Sequence, residues 1–123
     1  MIRKFRDLLA TIIKGVPEIS PREVREKMLR GEDFVLLDVR EPDEVQTGRL
    51  PGALCISRGT LESRIREVLP SKGKPIVVYC QSGARSLLAA RALSTMGYAD
   101  VSSMAGGMGR WGELRYPILK EHQ

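Results

Sequence analysis

The sequence predicts an open α/β domain in which helices cover both faces of a mostly parallel sheet. Short apolar runs alternate with stretches of helical periodicity, as in chains that build such sheets. The runs are apolar at nearly every position, which is typical of strands buried on both faces; they are FVLLDV at 34–39, ALCI at 53–56 and PIVVYC at 75–80. At 123 residues the chain is long enough for one hydrophobic core and too short for two domains.

The first 16 residues predict an additional amphipathic helix in front of this domain. Apolar residues recur there at helical spacing: Ile2, Phe5, Leu8, Leu9, Ile12, Ile13 and Val16. Asp7 and Lys14 interrupt the apolar stretches and no small-residue cleavage site follows, so the segment does not resemble a secretory signal. We expect the helix to pack on the domain or on a second subunit, which would make an oligomer, in preference to lying on a membrane surface.

The next element is a helix with defined signals at both ends. In SPREVREKMLRG, at 20–31, Ser20 is the expected N-cap, Pro21 occupies the first helical position, and Glu23 completes a capping box. Gly31 is expected to end the helix. Its apolar stripe is predicted to consist of Val24, Met28 and Leu29.

Helices and one more strand follow in alternation with the apolar runs. EPDEVQTG at 41–48 predicts a short helix with acids in its first turn. GTLESRIREVLP at 59–70 predicts a helix whose inward residues are Leu61, Ile65, Val68 and Leu69. ARSLLAARALSTMG at 84–97 carries the clearest helical pattern. DVSSMAGG at 100–107 can supply a last strand, and MGRWGELR at 108–115 a terminal helical turn or two.

Composition and charge narrow the classes of partner. The formal net charge of +5 favours anionic partners. Basic residues are interleaved with acids and aromatic residues make up only 5%, so we expect a small anionic substrate or an acidic protein rather than nucleic acid. No apolar run approaches the roughly 18 residues that a membrane span needs.

The cysteine and histidine content predicts neither a metal site nor a disulfide framework. The two cysteines, Cys55 and Cys80, form no C-x-x-C pattern and no cluster with histidine. Free thiols are typical of a reducing compartment, so a cytoplasmic location is expected. The sole histidine, His122, is one residue from the C-terminus, which makes a histidine base for either cysteine an unfavourable hypothesis.

Cys80 ends the strongest strand run and precedes a loop of small and polar residues that leads into a helix. The helix N-terminus and Arg85 are both expected to favour the thiolate, which is the nucleophilic form of cysteine. Gly83 permits backbone angles that would let the loop form a nest of N–H groups around an anion. Cys55, inside ALCI, is interpreted as a structural cysteine, with a resolving-thiol role as the alternative.

Three stretches together resemble a single-domain rhodanese, a sulfurtransferase family: LLDVREPDEVQTGRLPGALCI at 36–56, IVVYCQSGARSLLAARAL at 76–93 and MAGGMGRW at 104–111. The resemblance implies a five-stranded parallel sheet and divides the chain into an N-terminal helix at 1–16, a rhodanese-like domain at 17–119 and a tail at 120–123. It implies no cofactor.

The resemblance also assigns the site residues. It places the catalytic cysteine at Cys80 and the active-site loop at Gln81, Ser82, Gly83, Ala84, Arg85 and Ser86. Arg85 is expected to orient an anionic donor, or to pair with an acid on the second strand or helix; Gln81 and Ser82 are expected to shape the pocket. Asp38 and Arg40 of a D-x-R motif are expected to brace the loop rather than touch substrate. Gly106, Gly107 and Trp111 match a G-G-x-x-x-W motif, in which Trp111 is expected to pack in the core or at its rim. Arg58 is expected to be a solvated surface charge, with a place at the pocket mouth as the alternative. Many relatives have histidine where this chain has Arg49, which affects local packing.

The implied activity is transfer of sulfane sulfur from thiosulfate or a related small anionic donor to cyanide or a thiol, through a persulfide on Cys80. The loop has the pattern C-x4-R. The loop of related phosphatases and arsenate reductases resembles C-x5-R, one residue longer, which makes room for a tetrahedral oxyanion. The shorter loop favours a terminal sulfur on the cysteine. Two alternatives remain open. One is a protein-to-protein sulfur relay for tRNA thiolation or cofactor synthesis, and the other is a non-catalytic binding module.

Overall fold

The computed structural model describes residues 2–120. Its helices are α1 Ile2–Ile13, α2 Pro21–Leu29, α3 Pro42–Gln46, α4 Leu61–Val68, α5 Ala84–Thr95 and α6 Gly107–Glu113, with a short 3-10 helix at Arg58–Thr60. Its strands are β1 Glu18–Ile19, β2 Val35–Asp38, β3 Leu54–Cys55, β4 Ile76–Tyr79 and β5 Val101–Met104. Apart from residue 120, the tail predicted at 120–123 and with it His122 lie outside the described residues.

The strands form one five-stranded sheet in the order β1-β5-β4-β2-β3, with parallel pairing throughout. This confirms the predicted fold class. The sequence pattern did not reveal β1, which has only two residues. Across the middle of the sheet Asp38 is paired with Tyr79 on one side and with Cys55 on the other. The carboxyl ends of β2 and β4 therefore lie side by side, where parallel sheets carry their sites.

Buried side chains form a separate cluster on each face of the sheet. One cluster brings α4 and α5 against the sheet through residues such as Ile65 and Leu93. The other brings α2 and α6 against the opposite face through Val24 and the fully buried Trp111. Helices thus cover both faces, as the apolar character of the strand runs requires.

Local signals fix the ends of α2. Ser20 Oγ accepts a hydrogen bond from the Glu23 N–H at 3.1 Å and Glu23 Oε1 accepts one from the Ser20 N–H at 3.3 Å, which confirms the capping box.

The prediction that Leu29 and Val68 face inward is wrong: Leu29 is 68% exposed and Val68 is 37% exposed. Each is the last residue of its helix, where the apolar spacing continues one position beyond the packed surface.

The N-terminal helix α1 packs against α5 and leaves an apolar face exposed. Arg91 of α5 donates hydrogen bonds to the carbonyls of Ile12, at 2.8 Å, and of Lys14. Phe5, Leu8 and Ile12 are 61%, 57% and 38% exposed. Within residues 2–120, no helix is long and apolar enough to cross a membrane.

Candidate active site

The site is built where β4 ends and α5 begins. Cys80 directly follows β4, and α5 starts four residues later at Ala84. Gly83 is the N-cap of α5, with φ at +112°, a left-handed conformation that glycine adopts without a Cβ penalty. The turn at Gly83 directs the first N–H groups of α5 back toward the cysteine sulfur.

Two N–H donors and one hydroxyl surround the sulfur. The N–H groups of Gly83 and Ser86 point at Cys80 Sγ from 3.1 and 3.3 Å, and Ser86 Oγ lies 3.4 Å away. Burial raises the pKa of the Cys80 thiol, but hydrogen bonds from the Ser86 side chain and from the Ser86, Gly83 and Ser82 backbone outweigh it, so the pKa is lowered overall. Backbone amides, more than the guanidinium of Arg85, therefore stabilise the thiolate.

A buried pair of serines supports this arrangement. Ser86 Oγ lies 3.1 Å from the Gly83 carbonyl and 2.8 Å from Ser103 Oγ on β5, and both serines are fully buried. Because a hydroxyl has one proton, Ser86 donates to Gly83 while Cys80 is a thiol; it can turn to donate to the sulfur of a thiolate, with Ser103 donating to Ser86. Ser103 was not predicted as a site residue; the available signal was a polar residue inside a buried strand.

The sulfur is not open to solvent in this structure. Cys80 has no exposed surface, and Gly83 and Ser86 are buried with it. Gln81, Ser82 and Ala84 are exposed and form the outer rim of the loop. The loop and its neighbours therefore cover the sulfur in this structure.

Arg85 forms a bidentate ion pair with Glu44 of α3. Its Nη1 and Nη2 lie 2.7 and 2.9 Å from the two carboxylate oxygens. Hydrogen bonds from Arg85 lower the pKa of Glu44 to about 2. Of the two expectations for Arg85, the structure contains the ion pair. Glu44 itself was not predicted as a site residue; its place in the first turn after the D-x-R motif was the available signal.

Asp38 and Arg40 form a buried ion pair beside the loop. Arg40 Nη2 lies 2.9 Å from Asp38 Oδ2, and the side chains are 2% and 0% exposed. Arg40 also donates to the Gly48 carbonyl at 2.6 Å and to Gln81 Oε1 at 3.4 Å. The pair thus connects the end of β2 to the turn after α3 and to the loop, and these contacts hold the three segments together.

The G-G-x-x-x-W segment holds the loop from the other side of the sheet. At the start of α6, the N–H groups of Met108 and Gly109 donate to the carbonyls of Cys80, at 2.8 Å, and Gln81, at 3.0 Å. Gly107 has φ at +54°, and a Cβ there would lie 2.7 Å from the Gln81 carbonyl oxygen and closer still to that of Cys80. Only glycine allows this approach.

The bulky and basic residues around the site have structural partners. Trp111 Nε1 donates to the Pro117 carbonyl at 2.8 Å, which fixes the buried indole behind the loop. Arg58 pairs with Glu62 at 2.8 Å. Arg49 forms a backbone bridge with Leu119, so main-chain bonds secure the turn at Arg49.

A cavity of about 290 Å³ opens between α3 and β3, away from Cys80; Arg40, Pro42, Val45, Gln46, Cys55, Ser57 and Arg64 line it. Burial raises the pKa of the Cys55 thiol, so this cysteine stays protonated and is the weaker nucleophile. Neither Cys80 nor Arg58 lines the cavity. Across residues 2–120, no group of three or more potential ligands could hold a metal ion.

Known proteins share the sequence pattern and the fold of this chain. The family model of the Rhodanese-like domain matches residues 20–114. A sulfurtransferase of Allochromatium vinosum is 34% identical over 85% of this chain and 95% of its own length. The "Putative sulfur carrier protein YrkF" of Bacillus subtilis is also 34% identical, over 89% of this chain and 58% of its own.

A solved structure shows the same fold. The polysulfide-sulfur transferase homodimer of Wolinella succinogenes superposes with a TM-score of 0.81 at 28% identity, covering 98% of this chain and 90% of that one. The family model, the sulfurtransferase relative and the solved structure lead to one assignment. The chain belongs to the rhodanese-like domain family.

Proposed function

We propose that the protein transfers sulfane sulfur through a persulfide on Cys80, from thiosulfate or a related small anionic donor to cyanide or a thiol. The observation that carries the proposal is the surroundings of Cys80 Sγ: two N–H groups donate to it within 3.3 Å, and the Ser86 hydroxyl, 3.4 Å away, can turn to donate to a thiolate. The thiolate, which these donors stabilise, is the form that attacks a sulfur–sulfur bond.

The first half-reaction breaks one sulfur–sulfur bond and makes another. The Cys80 thiolate attacks the outer sulfur of thiosulfate, the bond to the sulfonate sulfur breaks, and sulfite leaves with the electron pair. The three negative charges of the reactants are conserved: the persulfide has one and sulfite has two. The charge then moves to the terminal sulfur, where the loop N–H groups act as an oxyanion hole acts on oxygen.

The second half-reaction returns the enzyme to its starting state. An acceptor nucleophile attacks the terminal sulfur of the persulfide and takes it, and the bonding electron pair returns to Cys80 as thiolate. Cyanide would leave as thiocyanate and a thiolate as a persulfide. No cofactor takes part in either step.

A sulfur relay between proteins is the second candidate, and the rim of the loop favours it. Gln81, Ser82 and Ala84 are exposed around a buried sulfur, so a partner would contact these side chains before the cysteine. The YrkF relative, described as a sulfur carrier, supports this candidate. Chemistry at Cys80 would be the same, and the donor or acceptor would be another protein, as in tRNA thiolation or cofactor synthesis. A non-catalytic binding module is disfavoured by the intact cysteine and loop.

The test is the intact mass of the reduced protein after incubation with thiosulfate. We expect a gain of one sulfur atom in the wild type and in Cys55→Ser, its reversal by cyanide, and no gain in Cys80→Ser. A gain with a protein persulfide but not with thiosulfate would favour the relay. A persulfide that persists in Cys80→Ser, or no gain with any donor, would contradict the mechanism.

We also propose that α1 pairs two copies of the chain. Phe5, Leu8 and Ile12 present an exposed apolar stripe on the side of α1 that α5 does not cover, and large apolar side chains in a row are typical of an interface. The Wolinella relative is a homodimer, and its match covers 98% of this chain, which includes α1. A second copy is therefore the occupant we assign to this stripe.

A further inference from the structure

We propose that Glu44 selects sulfur donors by their charge: its pairing with Arg85 disfavours dianionic donors such as thiosulfate and favours sulfane donors of lower charge, such as persulfides. The inference rests on the proposed function and concerns the same site. It assigns a specificity-determining role to a residue that has no part in the chemistry of the sulfur itself.

The ion pair occupies the groups that an anionic donor would need. Both terminal nitrogens of Arg85 are engaged by the carboxylate, at 2.7 and 2.9 Å, in the geometry with which a guanidinium also binds sulfonate or phosphate oxygens. The two side chains are 37% and 30% exposed, so the pair lies at the surface of the site. With a pKa of about 2, Glu44 is ionised at neutral pH.

The other arginines assigned to the site do not replace Arg85. Arg40 is buried, pairs with Asp38 and donates further to backbone carbonyls. Arg58 pairs with Glu62. Each of the three guanidiniums is thus matched by one carboxylate, and a donor approaches a Cys80 thiolate with no excess positive charge from these pairs. Repulsion from the thiolate grows in proportion to the charge of the donor.

Two sulfur donors differ in charge but react with Cys80 by the same exchange of bonds. Thiosulfate is a dianion and loses sulfite, whereas methanethiosulfonate is a monoanion and loses methanesulfinate. In both, the Cys80 thiolate forms a bond to the terminal sulfur, the bond from that sulfur to the oxidised sulfur breaks, and the leaving group takes the electron pair. Total charge is conserved, at −3 for the first donor and −2 for the second.

The critical variant is Glu44→Gln. The amide oxygen can still accept the hydrogen bond that the Glu41 N–H gives to Glu44 at 2.9 Å, so the start of α3 is kept. The negative charge and one of the two acceptors of Arg85 are lost. We expect kcat/KM to rise about tenfold for thiosulfate and about threefold for methanethiosulfonate, because the interaction free energy scales with donor charge. The gain should appear mainly as a lower KM for the donor.

The deciding measurement is the donor ratio, which is kcat/KM for thiosulfate divided by kcat/KM for methanethiosulfonate. A merely structural effect of the substitution changes both donors alike and leaves the ratio constant. Glu44→Ser, a second neutral variant, should raise the ratio as Glu44→Gln does, whereas Glu44→Asp keeps the charge and should stay near the wild-type ratio. Glu26→Gln, which removes a carboxylate from an exposed arginine pair on α2, controls for net charge and should leave the ratio unchanged.

Two failures can be told apart. If wild-type protein forms no persulfide with either donor, the proposed function fails and the inference with it. If the wild type is active and both neutral variants keep its donor ratio, or if Glu26→Gln raises the ratio equally, the role of Glu44 is refuted while sulfur transfer stands.

Discussion

Replacing Gly107 by alanine should damage the active-site loop from a residue outside it. The backbone at Gly107 has φ at +54°, where an L-residue costs about 1–2 kcal/mol. The new methyl group would lie 2.7 Å from the Gln81 carbonyl oxygen and closer to that of Cys80, and such overpacking against fixed atoms costs about 1–3 kcal/mol. The total is about 2–5 kcal/mol, a large share of the roughly 5–15 kcal/mol that stabilises a domain.

Two measurements follow from this cost. The free energy of unfolding from a denaturant titration should fall by about 2–5 kcal/mol, and Tm by roughly 4 °C per kcal/mol. Persulfide formation should fall roughly tenfold to a hundredfold in the protein that remains folded, because the amides around the sulfur move with the two carbonyls. Gly112→Ala is the matched control: its methyl group would meet only Ile118, at 3.9 Å, and should be neutral or stabilising by up to about 1 kcal/mol. A Gly107→Ala protein with wild-type stability and activity would refute the reasoning.

Two further substitutions test the sulfur environment and α1. Ser86→Ala removes the side-chain hydrogen bond that lowers the pKa of Cys80, so the midpoint of the pH-dependent alkylation of Cys80 should move to higher pH, and alkylation should be slower at neutral pH but not well above the midpoint. Ser94→Ala, a control on α5, should not shift the midpoint. An unmoved midpoint in Ser86→Ala would contradict the assignment. Leu8→Glu should convert a dimer to the 13.7 kDa chain in light scattering. Leu29→Glu, at an even more exposed leucine on α2, should not. A wild type that is already monomeric would refute the pairing.

The parts of the fold that were predicted from sequence depend on local physics. The capping box of Ser20 and Glu23 involves residues three apart and is therefore visible in the sequence. The three strand runs were identified because they are apolar at nearly every position, as is typical of strands buried on both faces. The errors at Leu29 and Val68 arose because apolar spacing is a property of the helix, whereas burial depends on where the neighbouring sheet ends.

The parts that were not predicted depend on contacts between distant residues. Glu44 and Arg85 are 41 positions apart, and several acids near the D-x-R motif could have been the partner. Ser103 supports Ser86 only because β5 lies under α5. The two-residue strand β1 has no pattern of its own, and its pairing with β5 is what makes it a strand.

The buried and exposed halves of the loop have different roles under the proposed function. The sulfur is stabilised chiefly by backbone N–H groups and by the buried Ser86, and backbone groups are present whatever the side chains are. Gln81, Ser82 and Ala84 face outward and can change without removing those backbone donors. Under the proposed function, persulfide chemistry constrains the buried half of the loop, while the exposed half and the charge at Glu44 are free to determine which donor or acceptor reaches the sulfur.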